Sequence, residues 1–411
     1  MEDAYSNPTL NTSSVNTTNA SVTQSAALGF PEYLYQPLEA TVFQITLWST
    51  IVLLGVIGNL LVCIAILGRA KMKTSMNYYL LSLTIADLGV LLMIFPVAVL
   101  KYLSPFHWLL GKHACLYMVP TEEIFYGASI WSITAIAIER YRNIVGSKRY
   151  QFRNRSRSRT VLVIIAVWVA SFLVSSVPLY PIMVYNSKFK LCYPKWPDMS
   201  GTNALSLSYS IALIVVWYAL PLAVIAFTYL KIKKRVRDSV VFRTSMSVTD
   251  EKESAILSQS SQNKEKRAKR IWRQSNKAKR ILTPLVILFA VTMFPLNALR
   301  VLLLIMPNFW RNPYYNLIMG QVIMFVMINS SANPLLYYIT SNEFKDAFKI
   351  IFKSLREKKN FLKRVSSKSR ASSRTSNRED EREGTDYRLT NNNSNSGVEL
   401  INGNVQIVTG L

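Results

Sequence analysis

The sequence predicts an all-α membrane protein, a seven-transmembrane helix bundle, and three observations predict it. Hydrophobic residues make up 50% of the 411, yet Lys and Arg number 48 against 23 Asp and Glu, a net charge of +25. A membrane protein reconciles these two properties by keeping them in separate segments, as this chain does. A hydrocarbon core of ~30 Å needs about 20 helical residues at ~1.5 Å each. Apolar runs of that length lie near 43–68, 78–101, 114–141, 160–184, 205–230, 281–306 and 314–340. Finally, the connecting segments alternate in charge. Segments 69–77, 142–159, 231–280 and 341–411 hold 40 of the 48 Lys and Arg, which places them on the inner side. The composition excludes a disordered chain, a coiled coil and a secreted disulfide scaffold.

Taken in order, the chain begins with a polar stretch, MEDAYSNPTL, that lacks a signal-peptide apolar core, so the first span would drive insertion. Acceptor triplets for N-glycosylation start at Asn11, Asn16 and Asn19, while Asn7 is excluded by Pro8. An outer, glycosylated tail is expected there. Spans one and four are plain apolar runs, whereas three and seven carry polar residues and are expected to face other helices. Asp87 in span two is the sharpest exception, because a bare carboxylate at span depth needs a cation, water or a proton. Glu122 and Glu123 lie two turns below Cys115 in span three, and Arg140 lies at its inner end. Asn59, Asn329, Ser330 and Asn333 are polar at similar depth, with helix-to-helix bonding as their plainer role. Pro221, Pro295 and Pro334 each remove a backbone donor and should kink spans five, six and seven. Pro178 and Pro181 fall near the outer end of span four.

There are three cysteines, so at most one internal disulfide can form. Cys115 opens span three and Cys192 sits in the loop 185–204. Both face the oxidising side in this topology, and a bridge would hold the loop over the helix mouths. Cys63, mid-span, reads as a small buried hydrophobe. Two His are too few for a histidine-rich metal site.

Over about residues 43–350 the pattern resembles the rhodopsin-like (class A) family of G-protein-coupled receptors. The resemblance rests on Gly58-Asn59, Leu83 with Ala86-Asp87, Trp108, Cys115, Glu139-Arg140-Tyr141 and Trp168, then Pro221 with Tyr229, Phe289 with Pro295, Asn333-Pro334 with Tyr337, and Phe344. Each is weak alone; their order and spacing are specific. The resemblance implies a plasma-membrane receptor with its N-terminus extracellular and its C-terminus cytoplasmic. It divides into a tail at 1–42, a seven-transmembrane domain at 43–340 with a basic, partly disordered inner loop at 231–280, an amphipathic eighth helix at 341–355 and a disordered cytoplasmic tail at 356–411. It further implies that ligand binds in the outer half, that span six swings outward at its inner end, and that a heterotrimeric G protein enters the gap to meet Arg140. Glu139 would pair with Arg140 at rest, and Tyr229 and Tyr337 would regroup around it on activation. Phe289, Met293 and Pro295 would form the hinge of span six. Asp87, Ser129, Asn329 and Ser330, with Asn333 nearby, match positions that hold an allosteric sodium ion, a hard cation taken by oxygen ligands.

The chain departs from the family's pattern in four places. Met293 stands where Trp is usual, which weakens an aromatic toggle. Thr292 replaces Cys. No carboxylate lies near Ser275, so a weak resting latch and some basal signalling are expected. The tail has no Cys for a palmitoyl anchor.

For the ligand, Glu122 shares a helical face with Cys115 and Tyr126. It could pair with an amine or with an Arg of a peptide. Arg300 could take a carboxylate, or neutralise Glu122 or Glu123 internally. The serines that amine receptors carry ahead of Pro221 are missing, and Met327 occupies the usual span-seven Tyr position. With the aromatic outer edge of Trp196, Phe309, Trp310, Tyr314 and Tyr315, the set Glu122, Glu123, Tyr126 and Arg300 favours a neuropeptide, with a biogenic amine on Glu122 as the alternative. A retinal photoreceptor would need a Lys in 314–340, which has none. No internal repeat or charged pore lining marks a transporter or channel, and no nucleophile–base set or metal spacing marks an enzyme. The basic charge is juxtamembrane and lacks a nucleic-acid motif, so anionic inner-leaflet lipid is its expected partner. Ser-rich 238–263 precedes a basic stretch that would prolong span six beside the G protein. Serines among arginines at 364–376 would offer phosphorylation sites to receptor kinases and arrestin-type partners. Asn154 also heads an acceptor triplet, but on the side assigned to the interior.

Overall fold

A computed structural model describes residues 37–104, 107–145, 157–197, 204–249, 283–306, 309, 312 and 314–361, with backbone alone at 236 and 238–249. The sites at Asn11, Asn16, Asn19 and Asn154, Trp310, most of 238–263, the basic stretch with Ser275, and the tail at 364–376 lie outside the described residues. The chain divides into two compact units, Met1–Phe348 and Lys349–Leu411.

Among the described residues, seven long helices build the first unit. Helix α1 is Leu38–Gly68, and α2 is Ser75–Leu103. Helix α3 runs from Gly111–His113 through a π turn, Ala114–Met118, into Val119–Val145. Helix α4 is Arg157–Ser171 with a π turn at Phe172–Ser176. Helix α5 is Ala204–Ile214, a π turn at Val215–Ala219, and Leu220–Thr249. Helices α6 and α7 are Thr283–Ile305 and Tyr315–Thr340. Between α4 and α5, strands β1 (Met183–Asn186) and β2 (Leu191–Pro194) form an antiparallel hairpin.

Six of these helices are long and apolar enough to cross a membrane; α3 is not among them. It carries Glu122, Glu123, Glu139, Arg140 and Arg142 because it is the central rod, packed by α2, α4 and α5, and so shows little surface to lipid. Helix α1 shows the opposite pattern. Leu53, Leu54, Ile57, Leu60, Ile64 and Leu67 are exposed, while Val52, Gly55, Asn59, Val62 and Ile66 are buried. An apolar stripe faces outward, as expected of a helix solvated by lipid, and the inward face mixes apolar Val62 and Ile66 with the small Gly55 and the polar Asn59. At Gly58, a Cβ would stand 2.9 Å from Pro334 Cβ, so α1 and α7 approach through glycine. Gly111 opens α3 with φ +76°, a conformation that favours glycine.

Helix ends differ from the sequence expectation in three places. Helix α4 stops at Ser176, not near 184, so Pro178 and Pro181 lie in the turns beyond it; rings without an N–H end the hydrogen-bond ladder there. Helix α5 continues to Thr249, through the start of the segment read as loop 231–280. That stretch has no Gly or Pro, and KIKKRVR is rich in good helix formers. Finally, residues 342–361 are helical where 341–355 was expected; 342–348 close the first unit and 349–361 belong to the second.

Candidate functional site

The hairpin end of the bundle is fixed covalently. Cys115 in α3 and Cys192 in β2 form a disulfide with Cα atoms 5.7 Å apart. The Trp108 amide donates to the Lys190 carbonyl at 2.6 Å, and the Trp108 indole donates to the Gly111 carbonyl at 2.8 Å. Val97, Trp108, Cys115 and Met183 form one buried cluster beneath the strands. The hairpin is therefore tied at both its strand and its loop.

Below it lie charged groups from three helices, α2, α3 and α6. Arg300 Nη2 of α6 stands 3.6 Å from Glu123 Oε1 of α3, with side chains 20% and 21% exposed. Internal neutralisation of Arg300 thus falls to Glu123, not Glu122. Glu123 Oε2 is buried without a hydrogen-bond partner. Tyr126, one turn further along α3 from Glu122 and Glu123, is half-buried. Lys101 on α2 interacts with Glu122, and its ammonium lies 5.8 Å from the Trp108 ring centroid. Tyr209 on α5 donates to the Ser175 carbonyl at 2.7 Å and packs on Trp196 at 5.2 Å. The Ser175 hydroxyl lies 3.2 Å from the Glu123 carbonyl oxygen, which joins α4 to α3. Gln321 on α7 donates to Gln44 on α1 at 3.0 Å. Lys101, Tyr209 and the two glutamines were missed by the sequence reading, since nothing in local spacing marks partners that meet only through the fold.

The mid-bundle network centres on Asp87, which is fully buried. Ser129 donates to its Oδ1 at 2.9 Å and Asn333 to its Oδ2 at 2.7 Å, and Ser330 is buried on the same helix as Asn333. Asn329 turns to α6, where Thr292 Oγ1 lies 3.0 Å from its Oδ1. Asn59 donates to the Gly55 and Ser330 carbonyls. Asn59 Oδ1, Asn333 Oδ1 and the Tyr337 hydroxyl are buried with no partner. Such unmet acceptors beside a carboxylate suit a small hard cation or water. Phe289 and Met293 on α6 are buried, and the Asn297 amide, two residues after Pro295, donates to the Met293 carbonyl at 2.8 Å.

At the end opposite the hairpin, Arg140 donates to Met76 Sδ of α2, and its Nε is buried without a partner. Glu139 is buried, and its Oε1 accepts from Asn143 at 3.1 Å. Tyr141 packs on Phe227, and Tyr229 is half-buried. Tyr337 stacks toward Phe344 at 5.5 Å. Trp168 donates to Ser82, whose hydroxyl pairs with Ser132, so α2, α3 and α4 are joined.

Comparison with known proteins agrees with this arrangement. The profile of the 7 transmembrane receptor (rhodopsin family) matches residues 58–337. Neuromedin-U receptor 2 of Mus musculus is 28% identical over 314 residues, 74% of this chain and 73% of the relative. Neuropeptide Y receptor type 2 is 27% identical in Mus musculus, over 77% of both chains. The Gallus gallus form is 28% identical over 77% of this chain and 76% of its own length. A seven-helix bundle with a tied hairpin, a buried carboxylate and a charged cluster under the hairpin, matched over residues 58–337, settles the family: the chain belongs to the rhodopsin family of seven-transmembrane receptors, class A of the G-protein-coupled receptors.

Proposed function

We propose that the protein is a cell-surface receptor for a neuropeptide, and that ligand in the hairpin-end half drives a heterotrimeric G protein at the opposite end. The observation that carries the peptide reading is the charged cluster of Glu122, Glu123 and Arg300 under a disulfide-tied hairpin. Two acids and a base from different helices suit a ligand with several polar groups. The names of the relatives, a neuromedin-U and a neuropeptide Y receptor, support it. On this reading Tyr126 and the aromatic rim supply apolar contact, and Pro295 lets the other end of α6 move. Movement would uncover Arg140, whose unpartnered Nε can donate to a carbonyl of the entering partner. Tyr229 and Tyr337 would gather around Arg140.

Asp87, Ser129, Ser330 and Asn333, with Asn329 alongside, would hold sodium. The ion would neutralise Asp87 and favour whichever state binds it better. Anionic lipid, receptor kinases and arrestin-type proteins remain proposed partners of the basic inner segments.

The test is nucleotide exchange on G proteins in membranes from cells that express the full chain, challenged with a panel of amidated and free-acid peptides and a parallel panel of biogenic amines. A saturable response to a peptide is expected. A response to amines alone would install the amine reading on Glu122, and exchange unchanged by every ligand would overturn the peptide assignment.

A further inference from the structure

Residues 349–361, the described helical part of the second unit, carry apolar side chains on opposite sides. Ile350, Phe352, Leu355 and Phe361 are each more than half exposed. Lys349, Lys353, Arg356, Lys358 and Lys359 stand among them against a single acid, Glu357, which lies 4.0 Å from Lys353 one turn away. A helix that rests on a membrane surface gathers its apolar residues on one face. Here they are divided. Phe352 and Phe361, nine residues apart, point about 180° from each other and stand about 14 Å apart along the axis. Leu355 sides with Phe352, and Ile350 with Phe361. Arg356 and Lys359 fall within about 40° of Phe352, so a bilayer that buried this ring would draw two cations toward the same depth. Residues 341–411 hold no Cys, so no acyl thioester ties the stretch to lipid. The pattern fits a partner that closes round the helix from two sides, offers an apolar cleft to each ring, and is itself acidic.

We infer that residues 349–361 are a docking helix for an acidic, two-lobed calcium sensor of the EF-hand class, with Phe352 seated in the cleft of one lobe and Phe361 in that of the other. Calcium opens such lobes onto flexible, Met-rich apolar grooves that accept large anchors. Their acidic rims meet the lysines and Arg356 along the rest of the helix. The site lies wholly within the second unit, so it stands apart from the ligand that the hairpin end of the bundle takes.

The test uses the full chain in phospholipid nanodiscs and fluorescently labelled calmodulin as the probe, read by anisotropy. In discs of phosphatidylcholine, binding should be saturable with calcium and reversed by EGTA. Phe352→Ala and Phe361→Ala should each weaken it at least about tenfold, since each empties one cleft, and Phe361→Trp should keep it. Both rings are exposed, so parent and variants should melt at the same temperature, which separates lost binding from lost folding. Binding that ignores calcium, or that survives intact when Phe352→Ala and Phe361→Ala are combined, would overturn the site. Weakening by Phe352→Ala alone would leave a one-sided contact and overturn the two-cleft geometry. Binding abolished when phosphatidylserine is added to the discs would give these side chains to the membrane instead.

Discussion

At the scale of single residues, the bundle depends on a few buried atoms whose neighbours leave no slack. Gly127 is one: a Cβ there would stand 2.8 Å from Ser171 Oγ and 2.9 Å from the Trp217 ring, both of them buried. Gly127→Val should destabilise the protein by about 1–3 kcal/mol, read as a lower Tm, because a small-to-large change at a packed contact forces neighbours off their rotamers. Asp87 is another. If sodium binds there, replacing NaCl by choline chloride at equal ionic strength should lower the parent's Tm. Sodium at about ten times its Kd adds ~1.4 kcal/mol, and that increment should vanish in Asp87→Asn. Equal salt response in parent and variant would remove sodium from the site. Asp87 was legible from the sequence because a carboxylate in an apolar run breaks a strong rule. That Asn333 rather than Asn329 bonds it was not legible, since the two lie four residues apart on one helix and only the rotation of α7 separates them.

At the scale of elements, apolar run length located each span, and inner-end charge marked where each run stops. What stayed hidden has a common physical cause. The three π turns, at Ala114–Met118, Phe172–Ser176 and Val215–Ala219, insert one residue per turn without any change in composition. The extension of α5 to Thr249 was concealed by charge, which periodicity reads as solvated loop although Lys and Arg are good helix formers. The pairing of Arg300 with Glu123 rather than Glu122 depends on the facing of α3, which lies within one residue's rotation of the other answer. The disulfide that holds this loop, by contrast, followed from two cysteines on one side of a membrane, whereas the β1–β2 pairing inside the loop was not read from the sequence. Cys192→Ser should leave the helices inserted but free β1 and β2. A loss of up to about 2–4 kcal/mol is expected, with faster limited proteolysis between α4 and α5 and a weakened peptide response. A hairpin that resists protease as well as the parent would show that the Trp108–Lys190 bond alone suffices to hold it.

At the scale of the whole molecule, function requires sidedness, and sidedness is written in charge. The short segments 69–77 and 142–159 hold 3 and 7 Lys and Arg, and the longer 231–280 and 341–411 hold 16 and 14. The segments that join helices at the hairpin end hold only Lys188, Lys190, Lys195 and Arg311, with Lys112 in the first turn of α3. Short basic loops resist translocation, so the end with Arg140 should face the cytoplasm and the hairpin the exterior. This orientation is also the one that lets the Cys115–Cys192 bridge form in an oxidising space. A tag placed before Met1 should therefore bind antibody on intact cells, and a tag after Leu411 only after permeabilisation. The same cells allow an independent reading through glycans. Asn11, Asn16 and Asn19 should carry them, and a triple Asn→Gln substitution should abolish the mass shift on glycosidase treatment. Asn154 lies between α3 and α4 on the basic side and should carry none. A glycan on Asn154, or a carboxyl-terminal tag exposed on intact cells, would invert the bundle and with it the direction of every signal inferred from its geometry.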